Sequence, residues 1–277
     1  MTVLDVNGSA IRVVTSFSIL EDLVRELGGD YVSVVNLVGR NSDAHMYQPK
    51  PSDAVAVAQA DLVIVNGLGF EGWIARLIEN CGYQGQSLIA SKGIEVLFHG
   101  DEPDPHAWQS FRNIRVYIHN ITQALIAQRP QYAQAFLQRQ RQYLNAVELI
   151  EQELIAQLAK VPASERMVVT SHDAFGYLGH EFSIAFISPV GLSTDAEASA
   201  ADVATIIKQI KKHRVKAIFM ENINNPRLLQ RIAAETDIAV GGKLYSDALS
   251  DVHDPAGTYL TMMQHNVMSL IAAFTEP

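Results

Sequence analysis

Between Gln131 and Lys160 the chain contains neither glycine nor proline, while Pro130 and Pro162 stand just outside the stretch. Proline is tolerated in the first turn of a helix but cannot continue one, so the pair marks a start and a stop. Phe136, Tyr143, Val147, Ile150, Leu154 and Leu158 recur at helical spacing, with Gln140 interrupting the stripe. The pattern predicts one helix over 131–160, roughly 45 Å long at about 1.5 Å per residue. A rod of that length can run across two bodies. The plainer alternative is a long helix inside a single domain.

On both sides of this helix, strands alternate with helices. Residues 11–15, 32–38, 61–67 and 87–90 read as strands rich in Val, Ile and Leu, with a helix over 19–27 ended by Gly28-Gly29. Beyond the long helix the alternation returns. Strands are predicted over 167–170, over 216–220 and from 238 towards 245, and helices over 206–213 and 228–235. Such alternation implies βαβ units and parallel sheets. The expected fold class is therefore α/β: two lobes with parallel-sheet (βα)-repeat cores, residues 1–130 and 161–277, joined by one rigid helix over 131–160.

Acidic residues outnumber basic ones 30 to 21, a formal charge of −9. That balance argues against nucleic acid and against an anionic membrane surface as partners. The single cysteine, Cys81, excludes an internal disulfide framework and a cysteine-rich zinc site, and reads as a structural thiol at a helix end. No run reaches the length of about eighteen apolar residues that a membrane span needs. The nearest, 259–274, is broken by Gln264, His265 and Asn266. The opening Met1-Thr2-Val3-Leu4-Asp5-Val6 has no basic or apolar signal region, so either the chain stays inside the cell or an export signal has been removed.

The chemistry lies with some of the nine histidines. His45 sits in a loop after the strand 32–38, leading into a helix capped by Ser52 or Asp53. His106 sits in Asp104-Pro105-His106-Ala107-Trp108, again just before a helical run. Each follows an acidic residue two positions earlier, which can orient an imidazole. His172 and Asp173 leave the carboxyl end of the strand 167–170, where parallel-sheet proteins bind ligands. Asp247 also follows a predicted strand, although, taken alone, a helix N-cap before Ala248-Leu249 accounts for it better. Three imidazoles and a carboxylate, two donors from each half, suit a borderline divalent metal such as zinc; manganese and ferrous iron accept such sets with more carboxylate. His119, His180, His213, His253 and His265 read as structural or surface residues, with His253 the nearest rival in the neighbourhood of Asp247. His99, with Asp101, Glu102 and Asp104, reads either as a solvated acidic loop or as a metal-gathering lid.

Taken in order, these segments resemble the metal-specific periplasmic binding proteins of zinc, manganese and iron ABC importers, the cluster A-I class. The resemblance rests on 43–53, on 104–108, on the long helix, on His172-Asp173-Ala174-Phe175-Gly176-Tyr177, and on Tyr245-Ser246-Asp247. It implies His45, His106, His172 and Asp247 as the ligands of one ion in a cleft between the lobes. It implies a periplasmic or surface location after loss of the signal, a monomer, delivery to the permease of an inner-membrane ABC importer, and no catalysis. Ala44 and Gln48 depart from the family's usual proline and glutamate without removing a ligand. The long His/Asp-rich loop of many zinc members is reduced here to 99–104, which weighs against zinc. His172 stands where many manganese and iron members carry glutamate, which weighs for it. Zinc is the first expectation for the ion and manganese the second. Affinity is expected to fall below about pH 6, where imidazoles protonate. A shift of the second lobe, which carries both His172 and Asp247, is the expected trigger of release. The rival readings are a metallohydrolase with Asp173 or Glu221 as general base, and an adhesin in which the metal is structural.

Overall fold

The Val- and Ile-rich runs of the first half pair side by side as strands β1 (Ile11–Phe17), β2 (Val32–Val38), β3 (Leu62–Val65) and β4 (Gln86–Ile89). They form one parallel sheet in the order β2-β1-β3-β4. Helices α1 (Ser18–Gly28), α2 (Pro51–Ala58) and α3 (Ile74–Asn80) make the crossovers that parallel pairing demands. In this register Val13 lies opposite Val34 on one side and Leu62 on the other. The central strands are covered on both faces, which is why they read as unbroken apolar runs. The computed structural model describes residues 10–213 and 215–275; the opening segment 1–6 considered for an export signal lies outside them.

A small hairpin, β5 (Phe98–His99) and β6 (Glu102–Pro103), then leads to α4 (Phe111–Gln128) and to the long helix α5 (Ala133–Leu158). The second half is built from β7 (Met167–Val169), α6 (Gly176–Phe182), β8 (Ala185–Ile187), α7 (Ala200–Lys212), β9 (Ala217–Glu221), α8 (Arg227–Thr236), β10 (Val240–Leu244) and α9 (Tyr259–Thr275). Its sheet is also parallel, in the order β10-β9-β7-β8. The two-lobed α/β architecture expected from the alternating pattern is the one observed. Among the described residues no helix is long and apolar enough to cross a membrane.

Helix α5 has 26 residues, about 39 Å, and buries Phe136, Tyr143, Val147, Leu154 and Leu158. It packs on α1 and α4 of the first half and on α9 of the second. Three local details differ from the sequence reading. Helix α2 starts at Pro51, and Asp53 reaches back to the N–H of Lys50 at 2.7 Å rather than capping the helix itself. Helix α7 starts well before the apolar stripe at Ile206, because Ser199 and Asp202 form a reciprocal capping box. Helix α6 and strand β8 carry little signal in the sequence, because Gly176 and Gly179 break the helical pattern of the first and the second has only three residues. A side chain at Gly179 would come within 2.6 Å of the carbonyl oxygen of Ile184.

Each sheet changes direction of growth once, between β1 and β3 and between β7 and β9. Such switch points leave a crevice at the carboxyl ends of the strands. Both crevices supply side chains to the same place.

Candidate metal centre

His45, His106, His172 and Asp247 meet there, each offering one donor atom, all within 4.8 Å of one another. Nε2 of His45 lies 3.4 Å from Nε2 of His106 and 3.4 Å from Oδ2 of Asp247. Nε2 of His106 lies 3.6 Å from Oδ1 of Asp247, and Nε2 of His172 lies 3.2 Å from its Oδ2. A tetrahedral ion with bonds of about 2.0–2.1 Å needs donors about 3.3–3.4 Å apart. His106, His172 and Asp247 are fully buried, and His45 nearly so. Nε2 of His172 and both carboxylate oxygens of Asp247 have no hydrogen-bond partner; the 3.2 Å approach between them lacks hydrogen-bond alignment. Buried polar atoms are rarely left so, and one cation between them would engage both the imidazole nitrogen and the carboxylate.

Neighbouring groups hold the rings in place. Oδ1 of Asp104 accepts the backbone N–H of His106 at 2.9 Å and lies 2.8 Å from its Nδ1, so Nε2 is the nitrogen left to face the cluster. The expectation that the preceding acid orients the imidazole holds at His106. At His45 it fails: Asp43 accepts the backbone N–H groups of His45 and Met46 and the hydroxyl of Thr194, and so fixes the loop rather than the ring. His172 leans on Glu221, whose Oε2 lies 2.6 Å from Nδ1 and whose Oε1 accepts the N–H groups of Ser171 and His172. Below His45 and His106, Phe17, Phe70 and Trp108 pack with ring centroids 4.7–4.9 Å apart and form an apolar floor.

Two further residues, Asn66 and Glu71, position the site and carry no distinctive signal in the sequence. Asn66, at the end of β3, donates to the carbonyl of Pro105 at 2.9 Å and accepts the hydroxyl of Tyr117 at 2.6 Å, which anchors the loop before His106. Glu71 accepts the N–H groups of Asn66 and Gly67 at 2.6 and 3.1 Å. Gly67 has φ +87°, and a side chain there would meet Ile89, so the turn requires glycine.

The electrostatics favour a carboxylate awaiting a cation. Burial pushes the Asp247 carboxyl up, but the imidazoles of His172 and His106 outweigh it and hold the group well below the ordinary range. Burial likewise pulls the His172 imidazole down, and the carboxylates of Glu221 and Asp247 overcome it and hold the ring well above its usual value.

The helix-cap alternative for Asp247 is overturned: residues 248–258 hold no helix, and the next one starts at Tyr259. His253, like His119, His180 and His213, is exposed and outside the cluster. His265 contacts the carbonyl of Lys243. The acidic segment 99–104 is part of a hairpin that is exposed at residues 99–102 and buried at its end. Asp104 is buried beneath His106, and Nδ1 of His99 lies 2.7 Å from Oδ2 of Asp173. Both candidate general bases are thereby engaged, Asp173 by His99 and Glu221 by His172. Cys81 lies at the end of α3, far in sequence from all of these.

Two parallel-sheet lobes tied by one long helix, with a buried N/O donor set between them, define a metal-ion solute-binding protein. The chain belongs to the family described as zinc-uptake complex component A, periplasmic, whose pattern it matches over residues 13–273. It is 29% identical over 272 residues to the manganese-binding lipoprotein MntA of Halalkalibacterium halodurans, covering 98% of this chain and 90% of the relative. It is 28% identical over 270 residues to the iron-binding protein YfeA of Yersinia pestis, covering 96% and 86%. Among solved structures, the manganese-bound periplasmic metal binding protein of Candidatus Liberibacter asiaticus superposes with TM-score 0.87 at 31% identity, covering 96% of this chain and 100% of that one. The periplasmic zinc binding protein TroA of Treponema pallidum gives TM-score 0.92 at 26% identity, covering 97% and 100%. The chain is thus a metal-binding substrate-binding protein of an ABC transporter, and the family is one of solute-binding proteins, not enzymes.

Proposed function

We propose that this protein captures one zinc ion per chain, outside the cytoplasmic membrane, through Nε2 of His45, His106 and His172 and one oxygen of Asp247. In this reading it works as a monomer, with residues 1–130 and 161–277 as the two jaws and 131–160 as the tie, and hands the ion to the permease of an ABC importer. The observation that carries the reading is the set of donor separations, 3.2–3.6 Å around a carboxylate with no hydrogen bond of its own. Four protein donors close the coordination shell and leave no position for a reactive water, as suits cargo rather than catalysis.

Three imidazoles to one carboxylate favour zinc over manganese, which prefers more oxygen donors and a larger shell. Manganese is the second reading, supported by a relative named for it, and iron stands behind it. Calorimetric titration of the metal-stripped protein tests the choice. Zinc is expected to bind one to one and more tightly than manganese, with binding lost or much weakened in His45→Ala and Asp247→Ala. Tighter manganese binding would reverse the choice of ion. Unchanged binding in both variants would remove the site itself.

A further inference from the structure

Sequence order groups Asp247 with His172, because each follows a strand of the second sheet. The hydrogen bonds group it with His45 and His106. Trp108 Nε1 and Gln109 Nε2 both donate to the carbonyl of Ser246, at 2.8 and 2.7 Å, one residue before Asp247. The N–H of Leu249 donates to Oγ of Ser18 at 2.9 Å, and its carbonyl accepts the N–H of Asn41 at 2.9 Å. One guanidinium nitrogen of Arg40 donates to the carbonyls of Ser250 and Gly257, at 2.6 and 2.8 Å, and so fastens both ends of the intervening turn. The N–H of Tyr259 donates to Asp22 at 2.8 Å, and its hydroxyl donates to the carbonyl of Trp108 at 2.9 Å. Against these, Asn222 donates to the carbonyl of Ala248 at 3.0 Å from the second sheet.

His172 is held differently. Its backbone and ring are fixed by Glu221 at the end of β9, and its backbone bridges to Val190. The body that carries it meets the first half through other bonds: His99 with Asp173, Asp43 with Thr194, Asn41 with Asn222, and Tyr177 and Glu181 of α6 with the region 97–111. The chain passes from that body to the Asp247 segment through β10, an edge strand whose register slips between Val240 and Gly242, where Gly242 takes φ +112°. An irregular edge strand can absorb a small rotation.

We propose, building on the four-donor reading above, that His45, His106 and Asp247 form one half-site fixed to the first lobe, and that Arg40 and Gln109 are positioning residues for Asp247. Separation of the lobes then withdraws His172 alone. An arriving ion meets three preset donors and is closed in by the fourth, and release begins with the loss of one imidazole rather than two ligands.

Pulsed electron–electron resonance distances test this in the full-length protein. Nitroxides are placed through cysteines in a Cys81→Ser background, at Val55 on the first lobe, Val252 beside the Asp247 segment and Lys208 on α7, all exposed. Stripping zinc with a chelator is expected to shift the Val55–Lys208 distance and leave Val55–Val252 unchanged. Both shifting together, or neither shifting, overturns the proposal. Arg40→Ala is expected to weaken zinc about 10- to 100-fold at unchanged stoichiometry. It is also expected to alter the d–d absorption of the cobalt(II)-loaded protein, with Arg40→Lys recovering part of both effects. An unaltered affinity and cobalt spectrum in a folded Arg40→Ala protein counts equally against it. Failure of the four-donor reading looks different: the unmutated protein then shows no saturable one-to-one zinc binding, and both readings fall.

Discussion

His172 shows how far a single side chain's surroundings set its behaviour. An isolated imidazole titrates near pH 6.5, but here the carboxylates of Glu221 and Asp247 raise it well above that despite burial. A raised imidazole stabilises the metal-free fold fully below the unfolded value, and that contribution is lost as pH rises through the folded value. Metal requires the neutral ring, so zinc uptake at pH 7 is expected to release a proton. The binding enthalpy should then vary linearly with the ionisation enthalpy of the buffer in calorimetry. No buffer dependence at pH 7 would show that His172 is already neutral. Proton competition therefore begins above the pH of about 6 that an ordinary histidine suggests. The three cluster histidines and Asp247 were legible as candidates because each stands next to a strand end or a distinctive loop. The role of Glu221 was not: it reaches His172 across 49 positions of sequence, and a lone acid at a strand end reads equally well as a base.

The strands were legible at the scale of elements, because unbroken runs of Val, Ile and Leu in short segments fit little else than a sheet covered on both faces. Helix α5 was legible from the absence of Gly and Pro between two prolines, with its ends placed within a few residues. What escaped is α6, whose Gly176 and Gly179 serve close packing and not periodicity, and β8, which is only three residues long. The two sides of α5 also make different predictions. Leu154 is fully buried in the shared core, and Leu154→Ala is expected to destabilise the protein by about 2–5 kcal/mol. Leu149, on the same helix, is 66% exposed, and Leu149→Ala should stay within about 0.5 kcal/mol of the parent. Chemical denaturation of both variants measures the difference; equal effects would mean that α5 packs in another rotation.

Across the whole molecule, the division into two lobes followed from the alternation of strands and helices around one long rod. The anchoring of 246–259 to the first half did not, because most of those bonds end on backbone carbonyls, which every residue carries, and only the folded geometry selects which are used. The account rests on one ion shared by donors drawn from both halves of the chain. Anomalous diffraction at the zinc edge from crystals of the zinc-loaded protein tests it most directly. The account predicts a single strong peak about 2.0–2.2 Å from Nε2 of His45, His106 and His172 and from an oxygen of Asp247. A peak elsewhere, or one that leaves any of these four side chains outside bonding distance, would contradict it.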